Sequence, residues 1–189
     1  MIDLQAEAVR ILDARAQRRT LSPISDRLDL SLDQAYALQA LLTQVRIDRG
    51  ERIVGWKLGY TSPVMREQMG IGEPNFGPLT DAMLLANGDA VPKTLIQHLV
   101  EPEVALRFAR AVEPGADRAA VLSCVGAAYA SLEVVDSVWT DYRFRLTDNT
   151  ADGSSAAAVV LGPEIPVETI ESVEVTLFVD DVRAGTGQG

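Results

Sequence analysis

The chain has 189 residues, enough for one domain with room for a small extension, and is 47% hydrophobic and 23% charged, within the globular range. Seventeen basic against 27 acidic residues give a formal net charge of −10, a surface that repels phosphate backbones and argues against nucleic acid as a partner. One cysteine and one histidine exclude an intrachain disulfide, a histidine-rich zinc site and a Ser-His-Asp triad that uses several histidines.

No signal-peptide pattern opens the chain and no apolar run is long enough to span a bilayer, so a cytoplasmic location without a membrane partner is expected. Residues 1–50 read as a helical segment. In the first helix Val9, Ile11, Leu12 and Ala16 are spaced for one apolar face. Arg15-Ala16-Gln17-Arg18-Arg19 then reads as its solvated end, where cations favour the helix dipole. Ser31-Leu32-Asp33-Gln34 is a capping-box signature that opens a second helix towards Gly50, with Ala35, Leu38, Leu41, Leu42 and Val45 at helical spacing.

After Gly50 the character changes, and residues 51–189 read as a strand-rich domain. Ile53 to Gly59 predicts a strand, followed by a short helix opened by Ser62-Pro63 and closed near Gly70. Gly70 to Pro78 is too rich in Gly and Pro to predict regular structure. Asn87-Gly88 predicts a turn into another strand. Further strands are expected over Val100–Phe108, Ser131–Val138, Tyr142–Leu146, Ala157–Leu161 and Val173–Val179, with a helical segment over Arg118–Tyr129. Asp180-Asp181 would turn the last strand into a short returning one. Cys124, in an apolar run, reads as a buried inert thiol. Early helices and late strands without βαβ alternation indicate an α+β fold.

The segment richest in chemistry is Leu99-Val100-Glu101-Pro102-Glu103-Val104. On a strand, Glu101 and Glu103 share a face. Spacing alone favours a half-exposed strand with its polar face in water. Glu133, in similar surroundings, adds a third acid. Three carboxylates with almost no histidine suit a hard cation with oxygen ligands, Mg²⁺ or Mn²⁺.

Five blocks in order carry a family resemblance. Gly55-Trp56-Lys57-Leu58-Gly59-Tyr60-Thr61-Ser62 resembles G-x-K-x-G-x-T-S, and Phe76 to Met83 resembles F-G-x-L-x-D-x-M. Glu101-Pro102-Glu103 resembles E-x-E, and Leu132 to Ser137 resembles L-E-[IV]-[IV]-D-S. Ala151-Asp152-Gly153-Ser154-Ser155, with Val160-Leu161-Gly162, resembles A-D-N-x-S-S and V-L-G, Gly153 standing where the family has asparagine. The chain thus resembles the 2-keto-4-pentenoate hydratase and 4-oxalocrotonate decarboxylase family, within the fumarylacetoacetase-like superfamily.

The resemblance implies a mixed β-roll after the N-terminal helices, lacking a C-terminal portion that family members carry, with Glu101, Glu103 and Glu133 as ligands of Mg²⁺ or Mn²⁺. It implies catalytic roles for Lys57 and Asp81, and substrate contacts from Gly59, Thr61, Leu79 and Ser155. Without it, Lys57 reads as a strand lysine reaching solvent and Asp81 as a turn or helix-cap aspartate. The implied activity is hydration of a small 2-oxo acid, 2-hydroxypenta-2,4-dienoate, in aromatic-compound catabolism. Decarboxylation of 4-oxalocrotonate and hydration of 2-oxohept-3-enedioate are variants on the same plan. A homo-oligomer, a hydratase–decarboxylase complex and a non-catalytic partner subunit are the implied assemblies and the competing class.

Overall fold

Leu4–Ala16 and Leu32–Asp48 form two helices, α1 and α2, in the computed structural model, which describes residues 2–188. The α2 capping box is present: Gln34 N–H donates to Ser31 Oγ at 3.2 Å, and Ser31 N–H donates to Gln34 Oε1 at 3.0 Å, satisfying two orphan donors of the first turn. The buried face of α1 departs from the expected one. Glu7, Ala8, Ile11 and Ala14 point inward, while Val9 is 50% exposed and Ala16 is also exposed. The acid Glu7 is tolerated there because Arg10 and Arg27 both pair with its carboxylate.

Two further elements follow in sequence: strand β1 (Ile53–Gly59) and helix α3 (Pro63–Met69). Strand β2 (Asn75–Thr80) then pairs antiparallel with β1, Lys57 opposite Gly77 and Gly59 opposite Asn75. The expectation of irregular chain up to Pro78 fails here. Pro78 sits inside a two-stranded sheet, where a missing N–H is tolerated on an open edge.

The remaining strands are β3 (Leu84–Leu85), β4 (Leu99–Phe108), β5 (Val125–Val135), β6 (Ala156–Ile165), β7 (Glu174–Val179) and β8 (Val182–Gln188). Helix α4 spans Arg118–Cys124 and helix α5 Leu146–Ala151. One sheet has the order β3–β6–β5–β4, and β7–β8 form a separate antiparallel pair. Their turn, Asp180-Asp181, has φ of 49° and 62°, as a tight hairpin with two left-handed central residues requires.

Three other expectations are corrected. The strand expected after Asn87-Gly88 does not begin until Leu99, because Asp136 Oδ1 captures the Ile96 and Gln97 N–H groups at 2.9 and 2.8 Å. The strand expected over Tyr142–Leu146 is instead a 3₁₀ turn at Thr140–Tyr142 followed by α5. Asp141 and Tyr142 both have φ of 55°, and Asp148 accepts the Arg145 N–H at 2.9 Å, starting a helix. The helix expected to reach Tyr129 ends at Cys124, and β5 begins at Val125.

The chain divides into two compact units. The first comprises residues up to Leu84, Ala90–Leu99 and Val134–Ala158. Its core joins Ala8, Ile11, Ala14, Ile24 and Leu38 to Val138 and Trp139. Trp139 is fully buried, and its indole N–H donates to the Asp148 carbonyl at 2.9 Å, so the polar end of the ring is satisfied. The second unit comprises Leu85–Asp89, Val100–Glu133 and Val159 onward, and holds most of β4, β5 and β6 with the β7–β8 pair. Among the described residues no helix is long and apolar enough to cross a membrane.

Candidate active site

In the first unit, Lys57 and Gly59 lie two apart on β1 and therefore share a face. That face meets the turn after α5. Lys57 Nζ donates to the Ser154 carbonyl at 3.1 Å. The fit is set by glycines: a Cβ on Gly59 would lie 2.2 Å from Asn75 Oδ1, and one on Gly77 would lie 2.0 Å from the Gly153 carbonyl oxygen. No side chain fits at either position.

The turn itself is strained. Gly153, Ser154 and Ser155 have φ of 77°, 56° and 57°, three left-handed residues in succession, of which two carry side chains that disfavour that region. Gly153 in place of the family's asparagine fits this geometry, since glycine and asparagine are the residues that enter it most readily. A buried polar network holds the conformation. Ser154 Oγ donates to Asn75 Oδ1 at 2.9 Å, Asn75 Nδ2 donates to Asn149 Oδ1 and Thr150 Oγ1 at 2.9 and 3.0 Å, and Asn149 Nδ2 donates to Ser155 Oγ at 2.9 Å. From α2, Gln39 Nε2 donates to the Phe76 and Thr150 carbonyls.

Arg15 secures the flanks. Its guanidinium donates to Asp152 Oδ1, to Asp136 Oδ2 at 3.4 Å and to the Asp136 carbonyl at 3.3 Å. Burial works against the Arg15 charge, but the Asp152 and Asp136 carboxylates outweigh it and raise its pKa. Reading this arginine as a solvated helix end missed its role, because its partners lie 121 and 137 residues away. Asn75, Asn149 and Gln39 were also missed. A polar residue inside an apolar stripe, such as Gln39 beside Leu38, was the available signal.

The other expected residues divide. Ser155 is buried in the network, and Leu79 pairs with Gly55 on the neighbouring strand. Thr61 is exposed beyond β1, and its carbonyl accepts from Arg66 at 3.0 Å. Asp81 lies four residues beyond the position opposite Lys57, about 13 Å along the strand, so the two are not brought together. Asp81 instead accepts from the Arg52 N–H at 3.0 Å and from Arg52 Nε at 3.1 Å. The backbone N–H and then the side chain of Arg52 hold its carboxyl below the usual value. A cavity of about 410 Å³ in this unit is lined by Arg15, Arg18, Arg46 and Arg49, and not by Lys57.

In the second unit, Glu101 and Glu103 on β4 and Glu133 on the adjacent β5 bring a carboxylate oxygen each to within 4.8 Å of one another. Pro102 between the first two is compatible with β4 because that strand lies at a sheet edge. Glu133 is 4% exposed, whereas Glu101 and Glu103 are exposed. Three acids so close repel one another, and a bound cation would reverse that term. Two residues before Glu133 on the same face, Ser131 is buried, and its Oγ has no hydrogen-bond partner among the described residues.

A 2-hydroxypent-2,4-dienoate hydratase of Pseudomonas putida is 35% identical over 158 residues, covering 82% of this chain and 71% of that protein. The chain belongs to the 2-keto-4-pentenoate hydratase family. Another relative, a 2-keto-4-pentenoate hydratase of Burkholderia vietnamiensis (strain G4 / LMG 22486), is 39% identical over 160 residues, covering 82% of this chain. The chain spans 60% of that hydratase and 62% of a hydratase of Paraburkholderia phymatum. The α+β fold matches 4-oxalocrotonate decarboxylase from Pseudomonas putida G7, complexed with magnesium and adipate, with a TM-score of 0.87 and 24% identity over 98% of this chain and 73% of that one. No family model matches the chain.

Proposed function

We propose that this chain is a divalent-metal-dependent hydro-lyase acting on 2-hydroxydienoic acids, with 2-hydroxypenta-2,4-dienoate as its substrate in aromatic-compound catabolism. The observation that carries this reading is the convergence of Glu101, Glu103 and Glu133 within 4.8 Å, in a chain whose hydratase relatives include one of which it spans 71%. The donor set fits a hard cation: three carboxylates and no sulfur or imidazole, a composition suited to Mg²⁺ or Mn²⁺. The orphaned Ser131 hydroxyl supports the same reading, as a buried polar atom on the face that Glu133 presents. The matching fold's complex with magnesium and the dicarboxylate adipate is in keeping with it.

Glu101, Glu103 and Glu133 would hold the ion, which when bound supplies Lewis-acid stabilisation of enolate charge at the 2-oxo oxygen. Lys57 Nζ, anchored on the Ser154 carbonyl, handles the proton: the 2-hydroxyl loses one and the terminal carbon gains one as the dienol becomes a ketone. Water then adds to the conjugated double bond. Gly59, Thr61, Leu79 and Ser155 would supply the substrate contacts. Asp81, held by Arg52 about 13 Å along the strand from the position opposite Lys57, takes no part in this proton transfer. Apolar side chains exposed on and after β1, Trp56, Leu58 and Val64 among them, support a homo-oligomer.

Turnover of 2-hydroxypenta-2,4-dienoate, followed by loss of its ultraviolet absorbance, tests the reading. Activity with Mg²⁺ that chelation abolishes and Glu103→Ala removes is expected. A folded chain that turns over nothing would overturn it and leave the non-catalytic partner. Release of CO₂ from 4-oxalocrotonate, without hydration, would reassign the site to the decarboxylase.

A further inference from the structure

The turn that receives Lys57 is gripped from both sides by one arginine. Asp152 immediately precedes the left-handed run Gly153-Ser154-Ser155, and the Asp136 N–H donates to the Ser155 carbonyl just behind it at 2.8 Å. Both aspartates are buried, at 4% and 1% exposure, and both carboxylates bind Arg15 of α1. Their remaining oxygens are also used. Asp152 Oδ2 accepts the Val138 N–H at 2.9 Å, and Asp136 Oδ1 accepts the N–H groups of Ile96 and Gln97.

A strained turn keeps its shape only where its surroundings over-determine it. Without the guanidinium, two buried carboxylates would face each other across the turn with no cation between them, and the conformation that aims the Ser154 carbonyl at Lys57 would relax. We propose that Arg15 is a positioning residue for Lys57: by clamping Asp136 and Asp152 it fixes the Ser154 carbonyl that orients the lysine amine. The proposal rests on Lys57 as the proton-handling group, and it extends the site to a residue on an N-terminal helix.

The chain permits a direct test because it contains two lysines, Lys57 and Lys93. Labelling the full chain with ¹³C-lysine gives two side-chain Cε signals, and Lys93→Arg assigns them. An anchored Lys57 shows two inequivalent Hε protons, whereas Lys93, exposed in a loop, shows one averaged signal. Arg15→Met is expected to merge the Lys57 pair. Ile11→Ala, a core truncation in the same helix, is expected to lower the melting temperature and leave the pair split. Arg15→Gln, which retains one donor for Asp152, is expected to give partial merging and serves if Arg15→Met does not fold.

An unchanged Lys57 pair in either folded Arg15 variant would overturn the proposal. So would equal merging in Ile11→Ala, which would make the ion pair a matter of stability alone. A single averaged Lys57 signal in the unsubstituted chain would overturn it as well. None of these readouts needs metal or turnover, so failure of the metal-dependent reading is observed separately.

Discussion

The lysine site and the carboxylate cluster are built on opposite principles. Around Lys57, Asn75, Asn149, Ser154, Ser155 and Gln39 bind one another or the backbone through named hydrogen bonds, around a strained turn against which Gly59 and Gly77 pack closely. At Glu101, Glu103 and Glu133, like charges converge, two of them exposed on an edge strand. The first arrangement is complete in itself and should be fragile to any change of shape. The second brings like charges together and should respond to a cation.

The largest effect expected is at the rigid region. Gly77→Ala drives a Cβ into the Gly153 carbonyl, and because the obstacle is backbone the cost should be about 3 kcal/mol, read as a lower urea midpoint with unchanged slope. A variant as stable as the parent would show that the turn yields, and would dissolve the contrast.

Next comes Ser131→Ala. Removing a buried hydroxyl that has no hydrogen-bond partner among the described residues should stabilise the metal-free chain by about 1 kcal/mol while reducing the gain in melting temperature on adding Mn²⁺. Opposite signs in the two conditions would sharpen the comparison. Loss of stability without metal would mean that the hydroxyl serves the fold.

The smallest effect is at Asp81. Its folded pKa is depressed below 3.8 by the Arg52 N–H and side chain, so its contribution is present above pH 3.8 and fades as pH falls through the lower folded value. Asp81→Asn should therefore lose most against the parent near neutrality, and the gap should close in acid melts. A gap that widens below that pH would contradict the assignment.

Local signals explain what could be foreseen. The α2 cap, strand β1 and the Asp180-Asp181 hairpin each depend on residues within a few positions, and all are present. The proximity of the three glutamates was legible because alternation on β4 placed two on one face and a resembling block supplied the third. Arg15 was not legible, since a helix-end arginine looks solvated until the fold brings Asp136 and Asp152 to it. Tyr142 to Leu146 misled because its alternating pattern mimics a strand, while Asp141 and Tyr142 adopt positive φ and Asp148 caps a helix instead. Strand β2 was hidden by its own Pro78 and Gly77, whose presence reflects close packing on Gly153 and an open sheet edge rather than a loop.

The most direct measurement is calorimetric titration of Mn²⁺ into the metal-free chain, with oxalate present as an enolate mimic, for the parent and for Glu103→Ala. The account predicts saturable binding that oxalate strengthens and that Glu103→Ala weakens at least tenfold or abolishes. A folded parent chain that takes up no Mn²⁺, or a Glu103→Ala variant that binds it equally well, would contradict the claim that these three carboxylates form a metal centre.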